Sequence, residues 1–429
     1  MSISALKPRP CSTKPINSPP AHTAPPRNPT VNQTLPPLRL KKNEERRLRA
    51  GHLWVYSNEV DIKQTSLKDL EPGSAVRIED ARGHAIGSGY VNPHSLICAR
   101  LVSRDPKYTL DKSLLVHRIN IALSLRDSLF TAPFYRLIHG EGDSLPGLVV
   151  DRFGEVLVVQ ITTAGMERHR DDIIVALQKV LKPTAIVLRN DSGSRQLEGL
   201  ESYIDTAHGR LPDALVIEEN GARFAIDPLG GQKTGWFFDH RMNRARMQQY
   251  VKGRRVLDVF SYIGGWGIEA AVAGASEVMC VDASQTAIDR IHHNAGLNDL
   301  GDALASLQGD AFEALKNLRQ ARERFDVVII DPPAFIKRRK DFKEGLNAYH
   351  RINQMAMQVL NKGGYLISAS CSWHLKQEQL RDTILKASRH LDRTAQIVEQ
   401  GHQGPDHPVH PAIAETGYLK AFIARVLVN

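Results

Sequence analysis

Long apolar runs are missing from this sequence: no window approaches about eighteen uninterrupted apolar residues, and no short apolar block opens the chain. A membrane span and a secretory signal are therefore not expected. Cysteine is scarce: Cys11, Cys98, Cys280 and Cys371 are scattered and form no CxxC pair. That spacing argues against a disulfide framework or a structural zinc site and suits a reducing, cytoplasmic compartment. Any cysteine that matters must act alone. Acidic residues are absent from positions 1–43, where Lys7, Arg9, Lys14, Arg27, Arg39, Lys41 and Lys42 stand, so this stretch supplies seven of the nine net positive charges. The rest of the chain is close to neutral, and a basic tail alone adds only salt-sensitive phosphate affinity.

What is present begins with proline. Ten of the 23 prolines lie in the first 37 residues, mixed with Ser, Thr and Asn. Such a segment cannot bury enough surface to offset chain entropy, which predicts a disordered leader over 1–37. A transit peptide would share the lack of acid, but this stretch has two arginines and no amphipathic stripe. With 429 residues, 42% of them hydrophobic, the chain can fill two or three cores. Short alternating runs at 74–83, 85–93 and 96–105, broken at Arg82-Gly83 and Asn92-Pro93, predict a small β-rich domain over 38–108. Mixed strand and helix patterns predict an α+β unit over 109–228. From about 253 five apolar runs alternate with helical patterns, the sequence form of a doubly wound α/β domain, whose ligands bind at the carboxyl ends of the strands.

The chemistry-bearing residues fall at those ends. Asp258 begins a loop running to Gly267 that contains Gly264, Gly265 and Gly267, and Asp282 ends the second strand, where a carboxylate can accept ribose hydroxyls. Asp310 follows the third strand. The loop lacks GxGxxG spacing, which favours a single-nucleoside cofactor such as S-adenosylmethionine over a dinucleotide. Alternatively the three aspartates merely cap helices. Asp331 opens Asp-Pro-Pro after the fourth strand, with prolines that stop the ladder and fix a rigid rim. Cys371 sits between Ser370 and Ser372 at the end of the fifth. A thiolate there could add to carbon 6 of a cytosine and make carbon 5 nucleophilic, provided the site is polar and partly exposed; otherwise Cys371 is a small buried hydrophobe. Cys98 and Cys280 lie in apolar strands and read as core. His292, His293, His402, His407 and His410 show no metal-site spacing, and no metal is expected. The segment 230–244, GGQKTGWFFDHRMNR, reads equally as a cover for the cofactor or as a domain linker.

In these motifs the chain resembles class I S-adenosylmethionine-dependent methyltransferases that make 5-methylcytosine in large-subunit ribosomal RNA. The likeness spans about 38–429 through RRLRAGHLWVYSNEV, GDSLPGLVVDRFG, GGQKTGWFFDHRMNR, VLDVFSYIGGWGIEA, VDAS, DPPAF, SASCS, and DHPV followed by ETGYLKAF. The resemblance implies an N-terminal PUA domain, a central α+β domain and a Rossmann-like methyltransferase domain over 229–429. Cys371 then looks like the nucleophile and Asp331 like the residue that orients the base beside the methyl donor. Asp258, Phe260, Ser261 and Gly264 look like the methionine-side loop. Asp282 and Ala283 look like the ribose side, and Asp310 and Ala311 the adenine side. Lys233, Thr234 and Asp239 look like a cofactor lid. The single-cysteine DPP pattern differs from two-cysteine RNA cytosine methyltransferases, and Ile263 and Trp266 depart from the residues more common in relatives. Large-subunit ribosomal RNA is the implied partner, and a homodimer is among the expected assemblies. Two competing readings are a base N-methyltransferase, which needs no thiol, and a non-catalytic RNA-binding assembly factor.

Overall fold

The computed structural model describes residues 35–428; residues 1–34 of the expected leader, Cys11 among them, lie outside the described residues, whereas Pro37, placed in that leader, begins the first strand by pairing with Arg77. The β-rich domain is a five-stranded sheet of β1 (Pro37–Arg39), β2 (Trp54–Tyr56), β3 (Ala75–Glu79), β4 (Ala85–Val91) and β5 (Ile97–Ser103), in the order β1-β3-β4-β5-β2. The three expected strands are β3 to β5. The charged stretch before them supplies α1 (Glu45–Arg49) and two edge strands that short length and dense charge concealed.

The central unit packs α2 (Lys112–Leu129), α3 (Ala164–Arg168), α4 (Arg170–Leu181) and α5 (Ser194–Leu197) with five strands. These are β6 (Phe134–His139), β7 (Leu148–Phe153), β8 (Val156–Ile161), β9 (Ala185–Asn190) and β10 (Tyr203–Gly209), in the order β10-β9-β8-β7-β6. Only β8 and β9 pair in parallel, across the helical connection, so the sheet is mixed as the sequence pattern required. A hairpin of β11 (Leu215–Glu219) and β12 (Ala222–Ile226) follows. Its Ile217, Phe224 and Ile226 share one apolar cluster with Phe153 and Val158 of the central sheet and with Trp236, Ile263 and Ile268 of the last domain.

The last domain is a seven-stranded sheet of β13 (Arg255–Val259), β14 (Glu277–Asp282), β15 (Leu304–Gln308), β16 (Phe325–Ile330), β17 (Leu360–Ser370), β18 (Arg393–Gly401) and β19 (Lys420–Val428). The order is β15-β14-β13-β16-β17-β19-β18, parallel through β17, with β19 antiparallel to both of its neighbours. Helices α6 (Arg241–Met247), α7 (Gly265–Val272) and α8 (Gln285–Leu297) cover one face, and α9 (Ala311–Gln320), α10 (Phe342–Gln358) and α11 (Gln377–His390) the other. In α9 the buried Ala311, Ala314, Leu315 and Leu318 recur at helical spacing, and the Asp310 carboxylate caps the first turn. The strand order reverses between β13 and β16, and it is in the crevice outside the carboxyl ends of such strands that these sheets bind their ligands.

Buried charge ties the units together. Asp151 on β7, wholly buried, pairs with Arg136 on β6 at 2.8 Å and accepts the Thr234 hydroxyl at 2.6 Å. Arg126 on α2 donates to the Asp406 carbonyl at 2.8 Å, and the Arg136 N–H donates to the Asp406 carboxylate at 3.0 Å. Two segments that border the crevice, 230–240 and 402–418, are thus anchored to the central sheet. Removing one partner leaves the other charge buried and unpaired, so Asp151→Ala is expected to lower stability in urea unfolding by about 3–5 kcal/mol. A loss below about 1 kcal/mol would show that this pair is not an anchor.

Candidate active site

The loop after β13 is shaped by backbone strain. Phe260 and Tyr262 hold positive φ angles of 68° and 50°, conformations that cost a bulky residue roughly 1–3 kcal/mol each. Hydrogen bonds to β14 compensate: the Phe260 and Ser261 N–H groups both donate to the Val281 carbonyl, and Tyr262 N–H donates to Asp282 Oδ2 at 2.8 Å. Gly264, with φ of 91°, turns the chain into α7, and a Cβ on Gly267 would meet Cys280 Sγ at 2.4 Å. The glycines therefore serve a left-handed turn and close helix-to-strand packing, and Cys280 is a core residue, as is the equally buried Cys98.

Asp258 ends β13 with its side chain inaccessible to solvent. Oδ2 accepts the Gly267 N–H at 2.9 Å, while Oδ1 is buried without a partner. Burial pushes its pKa up to about 7 against the opposing Gly267 N–H, and the Asp331 carboxylate adds to the rise. An orphaned buried carboxylate oxygen at the topological switch point fits a bound ammonium group. The Asp282 oxygens accept from Tyr262 N and Ser284 N, and Ala283 beside it is exposed.

The side chains of three expected site residues are engaged within the protein. The Ser261 hydroxyl donates to the Asp258 carbonyl at 2.7 Å and accepts Val281 N–H at 3.0 Å, so it stitches β13 to β14 and leaves only backbone for a ligand. Asp310 caps α9 through Oδ1, accepting from Phe312 N at 2.9 Å and Glu313 N at 3.2 Å, and Ala311 is buried beneath it. The Thr234 side chain is buried against Asp151 and takes part in the anchor. Serine, aspartate and threonine suit turns, caps and anchors as well as ligands, and sequence alone cannot separate these uses.

Asp331 and Cys371 leave adjacent parallel strands, in register at Ile330 and Ser368. Trp266 Nε1 donates to Asp331 Oδ2 at 3.1 Å, and His240 Nε2 lies 3.2 Å from Oδ1. The tautomer of His240 follows from its other nitrogen. Asn243 Nδ2, whose amide is oriented by donating to the His402 carbonyl, also donates to His240 Nδ1, so the ring proton sits on Nε2 and points at Asp331. Burial alone would push the Asp331 carboxyl up; His240 and Trp266 overcome it and hold its pKa below the usual value. Trp266 thus orients the carboxylate.

Cys371 is partly exposed. Ser370 and Ser372 are buried and both bond the Tyr349 hydroxyl, at 2.8 and 2.9 Å, while Ser372 Oγ also accepts Ile336 N–H at 3.2 Å. The serines therefore lock the cysteine loop to the DPPAF loop. Lys420, whose pKa burial pushes down to about 8 and which stays mostly charged at neutral pH, donates to the Ser372 carbonyl at 2.6 Å. Asp239, almost fully buried, accepts the Tyr418 hydroxyl at 2.6 Å, and its Oδ1 has no partner. Burial disfavours its charge, yet His240, Lys233 and His407 hold its carboxyl well below the usual range. The exposed Lys233 ammonium lies 4.6 Å from the centroid of the Phe237 ring. His240, Trp266, Tyr418 and Lys420 stood inside quoted motifs but carried no assigned role. Their types gave no signal, since Tyr418 reaches a partner 179 residues away. Among the described residues no group of His, Cys, Asp and Glu could hold a metal ion, and no helix is long and apolar enough to cross a membrane.

Burial pushes the Cys371 thiol up to about 11; Asp331 and Asp239 act in the same direction and Lys233 against it. Alkylation by iodoacetamide, followed at this residue by peptide mass spectrometry, should be slow at neutral pH and rise about tenfold per pH unit below the thiol pKa. Lys233→Met should slow it and Asp331→Asn should speed it. A slower reaction in Asp331→Asn would contradict this electrostatic account.

Residues 135–425 match the model of an S-adenosylmethionine-dependent methyltransferase family, and 38–104 match that of a PUA-like domain. The chain is 36% identical over 394 residues to the ribosomal RNA large subunit methyltransferase I of Shewanella frigidimarina (strain NCIMB 400), covering 91% of this chain and 99% of that protein. It is 37% identical over 395 residues, with the same coverage, to the protein of that name from Escherichia coli (strain SMS-3-5 / SECEC). Among solved structures, a Streptococcus mutans chain assigned as a SAM-dependent methyltransferase aligns with a TM-score of 0.77 at 20% identity, over 91% of this chain and 100% of that one. A methyltransferase complexed with SAH aligns with a TM-score of 0.78 at 21% identity over the same shares of both chains. At such identity the likeness concerns the fold. The chain belongs to the S-adenosylmethionine-dependent methyltransferases, in the family of the ribosomal RNA large subunit methyltransferase I proteins, with a PUA-like domain at its amino-terminal side.

Proposed function

We propose that this protein methylates carbon 5 of a cytosine in large-subunit ribosomal RNA, with Cys371 as a transient covalent nucleophile. The observation that carries the reading is a partly exposed thiol on the strand end next to an ionised, doubly held carboxylate, at the crevice where the methyl donor is expected. The ribosomal RNA substrate rests on the names of the relatives. When bound, S-adenosylmethionine supplies an electrophilic methyl group. Asp258 would hold its ammonium through Oδ1, and the strained loop through Gly264 and the Asp282 carboxylate would border its methionine and ribose parts.

Everything else falls to the chain. Asp331, kept ionised by His240 and Trp266, can accept the exocyclic amino group of cytosine and repels the carbonyl that uracil offers at that position. Cys371, once deprotonated, bonds through Sγ to carbon 6 and shifts electron density to carbon 5. After carbon 5 gains its methyl group, loss of its proton to a base breaks the Sγ–C6 bond and returns the thiolate. Lys233 and Lys420 favour that thiolate, while Asp331 and Asp239 oppose it.

The test is bisulfite sequencing of large-subunit ribosomal RNA from cells with and without the protein, joined to transfer assays on Cys371→Ala. The expected outcome is loss of one protected cytosine, and a variant that binds S-adenosylhomocysteine normally yet transfers no methyl group. Retained transfer by Cys371→Ala would point to a base nitrogen as acceptor and overturn the cytosine carbon 5 reading. RNA substituted with 5-fluorocytidine should trap a Cys371 adduct, because fluorine cannot leave as a proton does.

The cofactor assignment makes a separate prediction. Asp258 in the free protein has a pKa near 7, and a neighbouring ammonium lowers it, so binding S-adenosylhomocysteine near neutral pH should release about half a proton. Affinity should therefore tighten as pH rises from below that value through it. Calorimetry in buffers of differing ionisation enthalpy reads the release, and Asp258→Asn should abolish it. Unchanged release in that variant would move the ammonium elsewhere.

A further inference from the structure

The sequence run Lys337, Arg338, Arg339, Lys340 follows the DPPAF motif directly, and the catalytic roles leave it unexplained. All four side chains are exposed, and among them Arg338 pairs with Asp341 at 3.1 Å. Between 337 and 344 five basic residues stand against two acids. On the facing loop, Trp373 lies two residues beyond Cys371 and is 42% exposed, whereas Trp236 and Trp266 are buried and Trp54 donates its indole N–H to Glu141. The two loops are tied at one point: Ile336 N–H donates to Ser372 Oγ at 3.2 Å. Lys337 and Trp373 are the residues directly after that bonded pair, which brings the two exposed segments together beside the carboxyl ends of β16 and β17. The support beneath is stiff. Tyr349 bonds both Ser370 and Ser372 and packs against Phe335 with ring centroids 4.9 Å apart, while His374 packs edge-on against Trp373 at 4.9 Å.

A thiol can reach carbon 6 of a cytosine only when the base is out of its stack, and a base taken out leaves its neighbours without a stacking partner. An indole next to the nucleophile restores one face of that stack, and cations beside it can follow the phosphates. Resting on the RNA reading above, we infer that Trp373 with Lys337, Arg339 and Lys340 forms a single-strand RNA subsite that stacks a base flanking the target and holds its phosphates. A duplex fits this arrangement poorly, because its bases present no free face to the indole.

The experiment is equilibrium binding of the full chain to a short fluorescein-labelled single-stranded RNA of mixed sequence and to the matching duplex, across a salt series, with S-adenosylhomocysteine binding as the check on folding. Trp373→Ala should weaken single-strand binding about tenfold with an unchanged salt slope, and Trp373→Phe should keep most of the affinity. The triple variant Lys337→Gln, Arg339→Gln, Lys340→Gln should lower the salt slope by about two. Binding by Trp373→Ala within about twofold of the parent, or an equal loss on the duplex, overturns the subsite. If Trp373→Ala does not bind S-adenosylhomocysteine, the triple variant decides, and an unchanged slope in it overturns the phosphate contacts. Methyl transfer to a base nitrogen together with the expected binding losses would remove the carbon 5 reading and leave this subsite standing. A carbon 5 product with unaltered binding in the variants would do the reverse.

Discussion

The Asp331 carboxylate is the hinge of this site, because two demands on it conflict. It stands at the end of a buried strand where desolvation favours the neutral acid, yet recognition of an amino group needs the anion. The protein resolves the conflict with two donors, Trp266 Nε1 and His240 Nε2, on its two oxygens. Each carboxylate oxygen can accept more than one hydrogen bond, so acceptor capacity for a base remains. The orientation reaches outward through Asn243, which fixes the His240 tautomer and is itself set by the His402 carbonyl.

That relay explains why distant segments must be held still. His240 lies on the segment anchored by Thr234 to Asp151, and His402 lies on the loop whose Asp406 is bonded by Arg126 and Arg136. The central sheet therefore acts on the crevice without contributing a reacting group. A second buried network works from below: Glu219 on the hairpin receives Arg241 and Arg244, and Arg244 also reaches Glu269 on α7 at 3.2 Å. Helix α6, next to His240 in sequence, is thereby clamped between the hairpin and the helix that carries Trp266.

Much of this architecture was legible before any coordinates. Five apolar runs ending in Asp258, Asp282, Asp310, Asp331 and Cys371 marked the carboxyl edge of a doubly wound sheet, since continuous burial and helical spacing leave a plain periodic trace. β18 and β19 escaped because they are antiparallel strands on either side of a loop rich in Pro and His, and β19 is placed by pairing with β17 some fifty residues earlier in the chain. The internal partners of Ser261, Asp310 and Thr234 escaped for a different reason. A hydroxyl or carboxylate carries the same composition signal whether it caps a helix, stitches two strands or meets a ligand, and only its hydrogen-bond partners distinguish these. Trp266 shows the converse: it carried no assigned role in the sequence and is a donor to the Asp331 carboxylate.

Cys371 remains the most delicate element, because the features that position it also oppose its ionisation. Burial and the Asp331 and Asp239 carboxylates push the thiol up to about 11, so only a small fraction is thiolate at neutral pH. A low resting thiolate fraction protects the residue from oxidation and from stray electrophiles. It also means that activation has to accompany substrate binding. Cytosine binding would neutralise part of the Asp331 field by donating its amino protons to it. Phosphates entering the rim would work the other way unless the basic run balanced them. On this view the charge at the mouth of the crevice serves two ends at once: it draws in the nucleic acid, and it keeps phosphate charge from raising the thiol further.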